Sequence, residues 1–80
     1  MDDAELIRRI GALVDEEHAL ERSAAETGPD DESAARLRDV EVALDQCWDL
    51  LRQRRARRGT GEDPDEAQVR PSQVVEGYQQ

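Results

Sequence analysis

Apolar residues recur along the first third of the chain at Leu6, Ile10, Leu13, Leu20 and Ala24, with spacings of four, three, seven and four. That rhythm is the stripe of an amphipathic helix. It predicts a helix over about residues 3–26, with Glu17 standing where the stripe expects an apolar residue. Asp2 followed by Glu5 has the spacing of a helix-starting capping box. A second stripe, Leu37, Val40, Leu44, Cys47 and Leu51, is spaced three, four, three and four. It predicts a helix over about residues 31–58. Between the two lies Thr27-Gly28-Pro29-Asp30. Gly28 suits the positive φ that ends a helix, Pro29 cannot continue one, and Asp30 is a good N-cap for the next.

A four-residue connection between long helices makes them antiparallel neighbours. Folding about Gly28 and Pro29 sets residues whose numbers sum to 57 at the same level. Leu6 then faces Leu51, Ile10 faces Cys47, Leu13 faces Leu44 and Leu20 faces Leu37. The same register puts Asp2 opposite Arg55, Asp3 opposite Arg54, Glu21 beside Arg36 and Arg9 beside Trp48, the last a cation–π geometry. Glu16 opposite Glu41 is its one conflict. Ile7, Val14, Ala43 and Leu50 read as a second apolar strip on one flank.

The expected architecture is therefore all-α: a coiled-coil-like antiparallel two-helix hairpin over residues 1–58. An irregular or short-helical tail over 59–80 completes the chain. Within the tail, Asp63-Pro64-Asp65-Glu66 starts a helix expected to run over 64–69, and Val75 and Tyr78 are apolar anchors. A hairpin this small is poor in core. Either the tail folds over the flanking strip, or two hairpins pair as a four-helix bundle; a homodimer is the expectation.

Charge narrows the function classes. The 80 residues carry 20 acids against 11 arginines and no lysine, a net charge of −9. Five arginines crowd residues 52–58, where the dipole of the second helix favours cations. Phosphate would be repelled overall, and the arginine cluster has no interleaved aromatics, so nucleic acid is not the expected partner. No apolar run approaches the roughly 20 residues of a membrane span. The N-terminus reads without a secretory leader and Cys47 is the lone cysteine, so the expected location is the cytoplasm.

Four stretches carry a resemblance: Asp15-Glu16-Glu17-His18, the block from Leu44 through Gln46-Cys47-Trp48-Asp49 to Arg55, Asp63-Pro64, and Val75-Glu76-Gly77-Tyr78. Together they resemble a family of short proteins from high-GC Gram-positive bacteria, known as a domain of unknown function. The resemblance covers nearly the whole chain. It implies a small soluble bacterial protein and transfers no activity, cofactor or catalytic residue.

Candidate chemistry is sparse. His18 sits among Asp15, Glu17 and Glu21; Asp15 and His18 lie three apart on one helical face and are weak metal candidates, with Glu41 or Asp45 as further ligands from the second helix. Cys47 reads as a small buried hydrophobe, and no base is placed to activate it. Ile7, Val14, Trp48 and Leu50 are the candidate interface. Arg54, Arg55, Arg57 and Arg58 at the helix end, and Asp30 and Asp31 at the hairpin tip, are candidate partner contacts. The leading expectation is a non-catalytic helical module for self-association or protein–protein interaction, with no cofactor. The rivals are a regulator docking on a large machine such as RNA polymerase through the acidic tip or the arginine end, and a metal-binding bundle around His18.

Overall fold

The computed structural model describes residues 1–28 and 30–76, the side chain of Glu76 excepted. Helix α1 spans Asp3–Thr27 and α2 spans Asp31–Gly59. A 3-10 turn at Pro64–Glu66 and a short helix α3 at Ser72–Glu76 come next. Each long helix begins on an aspartate cap. The Asp2 carboxylate accepts from the Glu5 N–H at 2.8 Å, and that of Asp30 accepts from the Ser33 N–H at 2.7 Å. Such caps satisfy amide donors that the helix itself leaves unpaired. Gly28 ends α1 at φ +82° and ψ 153°, a conformation open in practice only to glycine. The end of α2 is a Schellman motif. The Glu62 N–H reaches the Arg57 carbonyl and the Gly61 N–H reaches that of Arg58, with Gly61 at φ +79°.

The two stripes merge into one core. Leu6, Ile10 and Leu13 of α1 are buried with Val40, Leu44, Cys47, Leu50 and Leu51 of α2. Towards the turn the seam loosens: Glu17, Leu20, Ala24 and Leu37 are only half-buried. Towards the open end it changes chemistry while keeping register. The next layer beyond Leu6 and Leu51 is Asp3 with Arg54, joined at 2.6 Å, and Arg58 closes on the same carboxylate at 2.5 Å. These two guanidinium groups pull the Asp3 carboxyl from its ordinary 3.8 down to about 2.

Several lateral pairings differ from the sequence expectation for one reason. Turning a helix upside down swaps its left and right flanks, so residues at the same level lie on the same side only if each sits on the corresponding flank of its own stripe. Arg36 accordingly pairs with Glu16, not Glu21, at 2.5 and 2.8 Å. Glu16 and Glu41 take opposite sides, which removes their conflict. Arg9 shares a cleft with Ala43 and Leu50, while Trp48 shares a groove with Val14 and Glu41. Ile7, Val14, Ala43 and Leu50 are therefore not one strip but halves of two. Asp2 caps α1 rather than meeting Arg55, which is exposed.

The tail folds back along α2. The expected helix over 64–69 is a single 3-10 turn, because Gln53 and Gln46 capture the carbonyls of Gln68 and Arg70 at 2.8 and 3.3 Å and hold that stretch extended. Asp65 in the 3-10 turn accepts from Arg54 at 2.9 Å. Arg70 makes a bidentate pair with Asp49, whose carboxylate also accepts from Gln53 at 2.9 Å. Asp49 is wholly buried. The Arg70 hydrogen bond lowers its pKa, against the opposing push of burial. Val75 is buried in α3, which packs on α2. The other expected anchor, Tyr78, lies outside the described residues.

Leu13→Ala or Leu44→Ala, each at a site 7% exposed, should cost about 2–5 kcal/mol in urea unfolding monitored by circular dichroism. An unchanged midpoint would place that residue outside the seam. Arg70→Ala should act differently. Undocking lets water reach Asp49, so the tail should detach and become protease-sensitive while the hairpin remains folded. The Asp49 carboxyl is depressed in the folded state. Its contribution to docking is complete above its ordinary pKa near 3.8 and disappears as pH falls through the lower folded value. Acidification below about pH 4 should therefore raise hydrogen exchange at Val75, and Asp49→Asn should show the raised exchange already at neutral pH.

Candidate functional site

The positions left open by the seam and the tail define the surface available for work. On the side of α2 that the tail takes, Leu50 is reduced to 9% exposure, with Ala67 packed against the same cluster. Leu50 is therefore core, not free interface. A cleft of about 300 Å³ remains under the tail, walled by Met1, Leu6, Ala43, Cys47, Leu50 and Val69. Cys47 is a free, buried thiol. It faces the level of Ile10 in the seam, two turns or roughly 12 Å along α1 from His18, too far for a thiol–imidazole pair.

The opposite side has no such cover. Ile7 is 52% exposed and Trp48 45%, with Val14 half-buried on the same side. Ile7 and Val14 are seven residues apart and share one face of α1. Below Trp48 the groove turns acidic, with Glu17, Glu41 and Asp45 lining it. The molecule is only 17 Å across its thinnest axis, the depth of a single helical layer with a strap. A domain ordinarily sets two layers against each other. On this face nothing among the described residues is laid over the two helices.

His18 is exposed on the same side, and two of the three carboxylates expected around it come close. One ligand atom each from Glu17, His18 and Glu21 falls within a 4.8 Å group. Asp15, one methylene shorter than a glutamate, does not join it. Two glutamates and an imidazole on consecutive turns of one helix could offer up to three ligands to a divalent cation, leaving its other positions to water.

The two ends of the hairpin are largely spent on internal bonds. Arg54 is 7% exposed and binds Asp3, Asp65 and the Pro64 carbonyl. Arg57 pairs with Glu62 and Glu66, and Arg58 with Asp3. Of the four arginines expected to meet partners, Arg55 keeps an exposed side chain with no ion pair among the described residues. At the tip, the Asp30 carboxylate is held by the Ser33 N–H and hydroxyl, which lower its pKa, while Asp31 is exposed. Sequence reasoning missed Asp49 and Arg70 altogether. Asp49 lies on the outward face of α2 by periodicity, and the signal for its burial is a lone arginine in an acidic tail.

Among the described residues no helix is long and apolar enough to cross a membrane. No solved structure matches the chain. An uncharacterized protein of Mycobacterium tuberculosis strain H37Rv is 53% identical over 77 residues, covering 95% of this chain and 88% of that relative. An uncharacterized protein of Mycobacterium bovis matches with the same identity and coverage. The family model described as "Protein of unknown function (DUF2630)" matches residues 2–80. With residues 2–80 matched by that model, and with mycobacterial relatives at more than half identity, the chain belongs to this family.

Proposed function

We propose that the protein is a non-catalytic helical module that works by association, first of all with itself, as a homodimer forming a four-helix bundle. One observation carries the reading. Ile7 and Trp48 stay exposed, with half-buried Val14 on the same side, on the face of the hairpin that the tail does not take. Aromatic residues on such a face are the usual energetic anchors of an interface. The arginine end and the acidic tip are weaker docking surfaces, since Arg54, Arg57, Arg58 and Asp30 already hold internal partners. The module would act in the cytoplasm and without a cofactor.

Light scattering after gel filtration should give a mass twice the 9.0 kDa of the chain. Ile7→Glu with Trp48→Glu should return the monomer with its helicity intact. A wild-type chain that stays monomeric at high micromolar concentration, and whose tryptophan emission is that of a fully hydrated indole, would overturn homodimerisation.

A second reading, a divalent-cation site on the open face, is favoured by the convergence of Glu17, His18 and Glu21. Calorimetric titration with zinc should then show a single site weakened at least about tenfold by His18→Ala. Equal heats for the two proteins would remove it.

A further inference from the structure

The open face has a polarity that decides how a second copy sits on it, given that the chain associates with itself through this face as proposed. From the turn end to the open end, the α2 side of the face presents Glu41, Asp45, Trp48, Arg52 and Arg55. From the open end, the α1 side presents Ala4, Ile7, Gly11 and Val14, with Glu17 and His18 beyond them towards the turn. Acid lies at one end, arginine at the other, and apolar surface between. Gly11 is the unusual member. It sits in the interior of a 25-residue helix, and a Cβ built there meets nothing within 4 Å. A helix-interior glycine costs about 1 kcal/mol relative to alanine, and the packing of a single chain gives no reason for it.

We infer that the protein forms a two-fold dimer through this face with the second copy inverted end for end, α1 on α1 and α2 on α2, crossing at Trp48. Two layers of antiparallel helices can stack about a two-fold axis that runs along the helices or across them. An axis along the helices keeps levels aligned and lays Arg52 between Ala4 and Ile7, and Asp45 on Gly11 and Val14, setting charge against apolar surface. An axis across them inverts the levels. Centring it on Trp48 brings together α2 residues whose numbers sum to 96 and, through the hairpin register, α1 residues whose numbers sum to 18. Trp48 then meets Trp48 of the second copy, and Arg55 meets Glu41. On α1, Ile7 meets Gly11 and Val14 meets Ala4, each large residue against a small one.

One choice of centre thus satisfies the charges, the aromatic and the glycine at once. Self-complementarity of this kind is what a two-fold interface requires. It also answers how a chain of net charge −9 can pair with itself: each copy brings cations to the other's acidic end. Gly11 is the place where the backbone must admit the isoleucine of the second copy.

Analytical ultracentrifugation of the full chain tests the pairing with three variants. Glu41→Arg and Arg55→Glu should each weaken the dimer by about tenfold or more, since each sets like charges together twice per dimer. Mixing the two variants in equal amounts should restore pairing as a heterodimer. Gly11→Leu should abolish the dimer while circular dichroism shows helicity equal to or above wild type, because leucine is the better helix former. If the wild type is a dimer that neither charge reversal weakens and that Gly11→Leu leaves intact, the inverted pairing is wrong and the association reading survives through another surface. If the wild type is a monomer at all concentrations and Gly11→Leu only raises helicity, both fall together.

Discussion

The whole molecule is organised by a seam one residue wide. Two helices joined by a tight bend share a single register, and only the residues of the central stripe can be buried by the pair alone. The best-packed layers lie between Leu6 and Leu13 on one helix and between Val40 and Leu51 on the other. Beyond them the same geometry continues with different chemistry. Asp3 and Arg54 occupy a seam layer as an ion pair, and Asp65 adds a second carboxylate from the tail. Replacing an apolar layer by this cluster joins three parts of the chain at one guanidinium. It also leaves a strongly directional contact where a leucine pair could slip.

The cations of this acidic chain serve mainly as rivets. Arg36 ties the helices near the turn, Arg54 and Arg58 tie them at the open end, and Arg70 ties the tail. Their value differs with burial. The Arg36–Glu16 pair is exposed to water and contributes little. The Asp49–Arg70 pair is a different case, because Asp49 has no access to solvent while the tail is docked. A buried carboxylate without its partner is costly, so docking of the tail and pairing of Arg70 are one event. This coupling makes the tail a conditional part of the fold.

Docking of the tail also breaks the symmetry of the hairpin. Two bare helices would expose apolar flanks on both sides. The tail covers Leu50 and leaves Ile7 and Trp48 exposed beside half-buried Val14. The association we propose uses the face that remains. Its distribution of acid, aromatic, glycine and arginine bears on how a partner is oriented as well as on whether one binds. Membership of the DUF2630 family and likeness to uncharacterized mycobacterial proteins place no activity on the chain, so the functional argument stands on this surface.

Local chemistry is legible in the residues alone. Asp2, Asp30 and Asp63 are caps because a short carboxylate reaches the amides that come after it, and Gly28 and Gly61 end helices because they tolerate positive φ. The level of each residue along the hairpin is equally legible, since periodicity and a short turn leave one register, and Asp3 meets Arg54 accordingly. Which side of the hairpin a flanking residue takes is not. Periodicity along one helix carries no handedness between two, so the pattern sets Arg9 beside Trp48, and Leu50 beside Ile7, where the packed helices separate them. Nor could any pattern show that Asp49, outward by its period, would be buried. That is decided by a contact with Arg70, 21 residues away, which exists only once the tail has folded back.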